Sequence, residues 1–178
     1  LQFVVLTMMI QTQIIPLYIL VRNLGLYNKL WALIIPYLVN PFNLIVLVSF
    51  LKGIPQDFEE SAKIDGANDF LILTRIYLPL STAALASVGL FYAVWYWNVF
   101  FPGVMFLNDM EKYPLQVMLR QIISGEASIG GSTDVVLDLP PDTRKSAAVF
   151  LATVPILVVY PYLQRYFVKG VMIGSIKG

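Results

Sequence analysis

Residues 30–51 read LWALIIPYLVNPFNLIVLVSFL and contain no charged side chain. Three further stretches share this property, namely residues 1–21, 76–108 and 146–164. The hydrocarbon core of a bilayer is about 30 Å thick, and a helix crosses it with roughly 20 apolar residues. Every Lys, Arg, Asp and Glu lies between or after these stretches. The pattern predicts an all-α membrane protein with four membrane-spanning helices.

The composition agrees with a membrane protein and excludes several kinds of chemistry. Of the 178 residues, 58% are hydrophobic and 13% are charged, whereas a soluble domain carries roughly 25% charged residues. The sequence has no Cys and no His, which excludes disulfides, thiolate zinc sites and Ser-His-Asp triads. It also lacks a G-x-x-x-x-G-K-[ST] phosphate loop. A net charge of +1 gives no reason to expect nucleic-acid binding, and any energy-driven work needs a partner.

The charged residues do not orient the four spans. Cytoplasmic loops usually carry an excess of Lys and Arg. Residues 52–75 and the C-terminus fall on one side, and residues 22–29 and 109–145 fall on the other. Each side carries six basic residues: Lys52, Lys63, Arg75, Arg165, Lys169 and Lys177 against Arg22, Lys29, Lys112, Arg120, Arg144 and Lys145.

The third uncharged stretch is too long for a single span. Its 33 residues would make a helix of about 50 Å. Pro79 suits a first helical turn, and Pro102 with Gly103 suits a helix ending. We therefore expect the third span near residues 80–101. In the second span, two prolines and two asparagines predict a kinked helix.

The loop at 109–145 has two parts. An apolar helical face is predicted within residues 114–124, formed by Leu115, Met118, Leu119, Ile122 and Ile123. Such a helix could lie on the membrane surface or dock against a partner, and we expect it to pack onto the neighbouring spans. Residues 125–142 are rich in Gly, Ser, Asp and Pro and are typical of a loop. At the other end, the chain starts with Leu1 inside an uncharged stretch that lacks the features of a signal peptide. We expect the natural protein to be longer there.

Residues 52–79, between the second and third spans, read KGIPQDFEESAKIDGANDFLILTRIYLP. Pro55 suits the first position of a helix, and the acidic residues from Asp57 onward are favoured by the helix dipole. Gly66 suits a left-handed helix end, and Asn68 suits the cap of a second helix. A short acid-bearing pair of helices at a membrane face suits docking to a soluble protein.

This segment resembles the EAA loop of ABC importer permeases, and we call it the coupling loop. The family pattern is E-A-A, three residues, G, nine residues and I-x-L-P. The matching residues here are Glu60, Ser61, Ala62, Gly66, Ile76, Leu78 and Pro79. Ser61 stands where the family has alanine, which is a change between small residues. A match of this length on a loop between spans is specific, whereas a lone E-x-A-x-x-x-G would be weak.

Other stretches resemble the sugar-importer branch of that family. They are Ile54-Pro55, residues 62–67 (AKIDGA), Trp97-Asn98, residues 113–116 (YPLQ) and residues 162–178. The last two resemble members that handle complex oligosaccharides, such as aldouronates and pectin or alginate fragments. The resemblance implies one type I ABC importer transmembrane domain over residues 1–178, with four spans present of an expected six.

The resemblance also implies the function and the partners. The chain would be the permease subunit of an ATP-driven oligosaccharide importer in a bacterial inner membrane, and not itself an enzyme. Its partners would be a second, homologous permease chain, a cytoplasmic ATPase dimer that holds ATP and Mg²⁺, an extracytoplasmic solute-binding protein, and membrane lipid. The chain itself needs no cofactor. Residues 52–75 and the C-terminus would be cytoplasmic, and residues 109–145 would face the binding protein.

Carried over residue by residue, the resemblance predicts that Glu60, Ser61, Ala62, Asp65 and Gly66 contact the ATPase. A carboxylate at Glu60 offers an acceptor to a partner, while Ala62 and Gly66 permit close backbone approach. Simpler roles also exist, since Gly66 is placed to end a helix and Asp65 to act as a local cap.

Candidate sugar contacts are aromatic and amide side chains within the spans. Sugar sites combine aromatic platforms with amide and hydroxyl groups, and the side chains that suit this are Tyr92, Trp95, Tyr96, Asn98 and Asn40, with Asn43 as a further candidate. Aromatic runs near a membrane face are also typical of interfacial belts and of packing. The alternative function is a membrane interaction or pore subunit that is not coupled to an ATPase. A membrane enzyme is disfavoured because no span has an ionisable residue at its centre.

Overall fold

The computed structural model describes residues 2–9, 13–124 and 140–174. Within these ranges all regular structure is helical and there is no strand, as the sequence predicts. The helices are α1 (Gln2–Met9), α2 (Ile14–Asn23), α3 (Trp31–Ile34), α4 (Pro41–Lys52), α5 (Asp57–Ile64), α6 (Asp69–Ile72), α7 (Leu78–Leu80), α8 (Thr82–Trp97), α9 (Phe101–Phe106), α10 (Leu115–Ser124) and α11 (Pro141–Gly174). A π-helical segment, Leu73–Tyr77, joins α6 to α7, and short 3-10 helices cover Ile35–Tyr37 and Met110–Lys112.

Bends interrupt the uncharged stretches. In the described part of the chain, no single helix combines the length and the apolar character needed to cross a bilayer, but three bent pairs of helices meet both criteria by length and composition. These pairs are α1 with α2, α3 with α4, and Asp69–Leu80 with α8. The three bent pairs of helices therefore lie at the positions of the first three predicted spans. In α11 the apolar helical part, Lys145–Val159, is shorter than the length required.

The break between α3 and α4 confirms the kink predicted for the second span. Pro41 lies in the first turn of α4, where its missing N–H leaves no hydrogen bond unmade. Asn40 caps this helix, since its side-chain oxygen accepts a hydrogen bond from the Asn43 N–H at 3.2 Å. Pro36 lies in the 3-10 turn that precedes the break.

The third span differs from its prediction at both ends. Helix α8 is Thr82–Trp97 rather than residues 80–101, and a bend of 77° separates it from the helical stretch before it. Pro102 and Gly103 do not end this helix, so that prediction is wrong. They lie in α9, where Pro102 occupies the first turn and needs no N–H partner.

The chain divides into two compact units. The first comprises Leu1–Gln11, Val39–Ala93 and Tyr162–Gly178, and the second comprises Thr12–Leu38 and Val94–Pro161. In the first unit α1 packs against α4. In the second unit α2 and α3 pack against α9, and the buried core consists of Val21, Ala32, Leu33, Val99, Phe106 and Leu107.

A polar contact joins two turns of the second unit. Asn28 has a φ of +59°, a left-handed conformation that asparagine adopts more readily than most residues. Its N–H donates to the Phe106 carbonyl at 2.8 Å. Its side-chain oxygen accepts from the N–H groups of Asn108 and Asp109 at 3.0 and 3.1 Å. One side chain thereby fixes the turn after α2 to the end of α9.

The predicted helix at 114–124 exists as α10, but only part of the predicted apolar face is buried, and Val117, which lies outside that face, is buried as well. Its buried residues are Val117 and Leu119, whereas Leu115, Met118 and Ile123 are exposed. The reason lies in α9, which approaches on the Val117 side: a Cβ added to Gly103 would lie 2.9 Å from side-chain carbons of Pro114 and Val117. Most of the predicted loop at 125–142 lies outside the described residues.

Candidate functional site

The coupling loop folds as two helical stretches joined by a glycine turn, which confirms the prediction. The first is α5, and the second runs from Asp69 through the π-helical segment to Leu80. Pro55 does not occupy the first helical position, because α5 begins two residues later, at Asp57. Asp57, Glu59 and Glu60 then lie in the first turn, where the helix dipole favours negative charge.

The turn has the hydrogen bonds of a Schellman motif. Gly66 has a φ of +77°, and its N–H donates to the Lys63 carbonyl at 3.0 Å. The next N–H, of Ala67, donates to the Ala62 carbonyl at 2.9 Å. Asn68 then caps α6, because its side-chain oxygen accepts from the Leu71 N–H at 2.8 Å. The predicted helix stop and the predicted cap are both confirmed.

The two adjacent glutamates of α5 have different surroundings. The Glu59 carboxylate accepts hydrogen bonds from Lys63 Nζ and from the Tyr77 hydroxyl, each at 2.6 Å. The hydrogen bond from Lys63 and, after it, the one from Tyr77 lower the pKa of Glu59 below its ordinary value. The same contact with Glu59 raises the pKa of Lys63.

Glu60, in contrast, is exposed, and its carboxylate has no hydrogen bond or ion pair with any residue that the structure describes. Ile64 follows one helical turn later on the same face and is 86% exposed. Asp65 is also exposed at the C-terminal cap of α5, where its N–H donates to the Ser61 carbonyl at 3.1 Å. This face offers carboxylates and an apolar side chain to a binding partner.

The five predicted coupling residues therefore lie on one helix and its terminal turn. Ser61 is exposed and its hydroxyl donates to the Asp57 carbonyl at 2.7 Å, while Ala62 is half-buried. A Cβ at Gly66 would meet no atom within 4 Å. Within this chain, the glycine is thus required by the backbone conformation and not by close packing.

The candidate sugar contacts in the first unit are Tyr92 and Asn40, and they contact each other. The Tyr92 hydroxyl accepts a hydrogen bond from the Asn40 N–H at 2.8 Å, so it ties α8 to the start of α4. Asn43, the further candidate, is buried. The aromatic side chain at 92 therefore has a packing role within this unit.

The other three candidates lie in the second unit at the end of α8. The Trp95 ring lies 4.6 Å from the Tyr37 ring and 4.8 Å from the Tyr96 ring, centroid to centroid. Asn98 donates from Nδ2 to the Val94 carbonyl at 2.8 Å. Each of these side chains has a contact inside the chain, and their role in sugar binding stays a prediction.

Sequence reasoning missed the link between Glu59 and Tyr77. The spacing of Glu59 and Lys63 is readable, because residues four apart share a helix face. Tyr77 lies 18 residues after Glu59, and no short-range pattern relates positions at that distance. Among the described residues there is no group of acidic, cysteine or histidine side chains placed to hold a metal ion.

Comparison with known proteins shows the family. The model for the binding-protein-dependent transport system inner membrane component matches residues 1–173. The chain belongs to this family of inner membrane components, and the predicted fold class, an all-α transmembrane bundle of a type I ABC importer, is confirmed.

Three similar proteins show how far the likeness extends. The polygalacturonan/rhamnogalacturonan transport system permease protein YtcP of Bacillus subtilis (strain 168) is 46% identical over 178 residues, covering 98% of this chain and 62% of YtcP. The protein LplC of the same strain is 45% identical over 180 residues, covering 100% of this chain and 61% of LplC. A crystal structure of a bacterial ABC transporter involved in the import of the acidic polysaccharide alginate matches with a TM-score of 0.85 and 33% identity, covering 93% of this chain and 60% of that one. The chain thus spans about three fifths of the length of these relatives.

Proposed function

We propose that this chain is the permease subunit of an ATP-driven importer for oligosaccharides. It forms part of the translocation path and is coupled through the coupling loop to a separate ATPase. Family membership supports a transport role, and the names of YtcP and of the alginate transporter support a saccharide cargo. The chain is a transport subunit, and ATP hydrolysis belongs to its partner.

The observation that carries the proposal is the open face of α5. Glu60 presents a carboxylate that no described residue engages, and Ile64 on the same face is almost fully exposed. A carboxylate forms strong, short hydrogen bonds with a charged donor, and an exposed apolar side chain gains from burial in a groove. A groove of the ATPase dimer that carries a basic side chain would satisfy both groups.

The remaining partners follow from this role. A second permease chain completes the path, an extracytoplasmic solute-binding protein delivers the saccharide, and ATP with Mg²⁺ is bound by the ATPase dimer. Residues 52–75 and the C-terminus then face the cytoplasm of a bacterial cell, and residues 109–145 face the binding protein. Lipid of the inner membrane surrounds the bundle.

The substrate class we propose is an oligosaccharide derived from an acidic polysaccharide. Polygalacturonan and alginate, which appear in the descriptions of two similar proteins, are both polymers of uronic acids. The first probes are therefore oligogalacturonates and oligomannuronates, with maltotriose as a neutral comparison.

The test is ATP hydrolysis by the complete transporter in nanodiscs, with binding protein and each probe. We expect an acidic probe to stimulate hydrolysis in the wild type and Glu60→Lys to abolish the stimulation. The matched control is Asp69→Lys, the same charge change at an exposed acid on the second helical stretch that is not among the predicted ATPase contacts, and it should leave stimulation intact. If Glu60→Lys hydrolyses ATP like the wild type, the loop does not couple, and the uncoupled pore subunit becomes the better description.

A further inference from the structure

A hydrogen bond crosses the turn of the coupling loop. The Tyr77 hydroxyl donates to Glu59 Oε2 at 2.6 Å. Glu59 lies in the first helical stretch of the loop and Tyr77 at the end of the π-helical segment in the second. The contact therefore joins the two arms of the helical pair at a point distant from the turn itself.

The turn alone would leave the angle between the arms poorly fixed. Gly66 adopts a left-handed conformation with open space where a side chain would be, and the hydrogen bonds of its Schellman motif all lie within residues 61–67. Rotation about a few backbone bonds at such a turn changes the direction of the following helix. A second contact between the arms restricts this rotation. We call the hydrogen bond between Tyr77 and Glu59 the strut.

The strut has the properties of a strong contact. Hydrogen bonds from a hydroxyl to an ionised carboxylate at 2.5–2.7 Å belong to the stronger class, and the distance here falls in that range. The Glu59 side chain is 34% exposed and Tyr77 is half-buried, so water competes only in part. Lys63 donates to the other carboxylate oxygen, Oε1, so it does not compete with Tyr77 for Oε2.

We propose that Glu59 and Tyr77 are positioning residues that make α5 move as one body with the helical stretch leading into α8. A displacement of α5 by the ATPase is then transmitted to the membrane helices, and is not absorbed by rotation at the Gly66 turn. The inference rests on the proposed function. The two adjacent acids then have different roles: Glu59 holds the two arms of the loop together, and Glu60 faces the partner.

The first measurement tests the strut itself, independently of any saccharide. These 178 residues contain no cysteine, so this segment takes spin labels only at introduced sites, here Asp57→Cys on α5 and Arg75→Cys on the second arm, and any cysteines elsewhere in the complex are replaced. In the assembled complex we expect a narrow distance distribution for the wild-type loop. Tyr77→Phe, which removes one hydroxyl, and Glu59→Ala should each widen it.

Lys63→Ala is the matched control. It removes the ion pair inside α5 but leaves the bond between Glu59 and Tyr77, so the distribution should stay narrow. An equally narrow distribution in Tyr77→Phe and Glu59→Ala would overturn the strut. Equal widening in Lys63→Ala would show that the ion pair, rather than the cross-turn bond, holds the arms.

The second measurement tests transmission. In proteoliposomes with trigalacturonate, we expect the number of ATP molecules hydrolysed per saccharide imported to rise about threefold in Tyr77→Phe and in Glu59→Ala. The double variant should be no worse than the more severe single variant, because both remove one bond. A wider distance distribution with an unchanged ratio would overturn the transmission role. Absence of saccharide-stimulated hydrolysis in the wild type would instead count against the proposed function, and the distance measurement would still judge the strut.

Discussion

At the scale of single residues, the turn of the coupling loop depends on the left-handed backbone of Gly66. A side chain at this φ brings Cβ close to the following carbonyl oxygen, which costs about 1–2 kcal/mol. Because the surrounding space is open, this conformational cost is the whole effect of adding a methyl group. We predict that Gly66→Ala lowers the midpoint of thermal unfolding of the purified permease, as measured by tryptophan fluorescence.

Gly89 provides the comparison for that variant. It lies inside α8, and a Cβ there also meets no atom within 4 Å. Alanine is favoured over glycine in a helix by about 1 kcal/mol, so Gly89→Ala should leave the midpoint unchanged or raise it. Equal midpoints for Gly66→Ala and the wild type would contradict the conformational requirement at the turn.

A second prediction at this scale concerns Asn28. Its side chain accepts two backbone hydrogen bonds, and each such bond contributes about 1 kcal/mol. Asn28→Ala loses both bonds and also strains a backbone at φ +59°, so it should lower the midpoint more than Asn28→Gly, which loses the bonds alone. A reversed order would contradict the cost of the positive φ, and a wild-type midpoint in Asn28→Gly would show that the side-chain oxygen does not hold the two turns together.

The third prediction concerns pH. The pKa of Glu59 is lowered from its ordinary 4.5 and that of Lys63 is raised from its ordinary 10.5. A lowered carboxylate pKa stabilises the fold above the unfolded value, and the contribution is lost as the pH falls through the lowered value. For Lys63 the contribution is present below its unfolded value and is lost as the pH rises through the raised one.

Replacing the carboxylate should therefore matter only where it is ionised. Glu59→Gln should lower the thermal midpoint at pH 7, and the difference from the wild type should shrink below the ordinary value of 4.5 and disappear as the pH falls through the lowered pKa of Glu59. Glu60→Gln removes the neighbouring carboxylate, which lies in the same first turn but has no side-chain partner among the described residues, and should lower the midpoint at pH 7 less than Glu59→Gln does. A difference for Glu59→Gln that persists in acid would exclude the ion pair as its cause.

The residues that sequence reasoning found are those whose role is local. Gly66 and Asn68 act through their own backbone and through bonds within three or four residues, so their identity and spacing predict their structure. Tyr77 is different, because its partner depends on the angle between two helices. Helix periodicity does not predict the angle between two helices.

At the scale of helices, the contact between α9 and α10 depends on the absence of a side chain at Gly103. A Cβ would come within 2.9 Å of Pro114 and Val117 carbons, closer than packed atoms allow. Overpacking of this kind costs about 1–3 kcal/mol. We predict that Gly103→Ala lowers the thermal midpoint and that adding Val117→Ala restores part of the loss. Failure of Val117→Ala to restore any part would mean that the two helices do not meet there.

Helices were predictable where one residue type decides their limits. The break before α4 follows from Pro41 and the cap at Asn40, and both are visible in the sequence. The end of α8 at Trp97 has no proline or glycine beside it, and the bend at Ser81 comes two residues after Pro79, which lies in the first turn of α7. They depend on packing, since Ser81 and Val99 are buried. Packing involves residues that are far apart in the sequence, so no single stretch of sequence predicts it.

At the scale of the whole molecule, the prediction concerns the side of the membrane on which each loop lies. Six basic residues on each side gave no orientation, and the resemblance alone supplied one. Because the sequence lacks cysteine, single cysteines report the side directly. We predict that Gln56→Cys reacts with a membrane-impermeant maleimide only in inside-out vesicles, and Glu111→Cys only in right-side-out vesicles. Labelling of both from one side would contradict the proposed orientation.

The π-helical segment Leu73–Tyr77 has a consequence for how this loop can change during evolution. Each residue in an α-helix turns the chain by about 100°, so inserting or deleting one residue between Gly66 and Tyr77 would rotate the tyrosine hydroxyl away from Glu59. A wider helical turn takes up one additional residue without lengthening the arm. The nine residues between Gly66 and Ile76 then set the rotation of Tyr77 relative to Glu59, so we expect substitutions in this interval to be tolerated more readily than changes in its length.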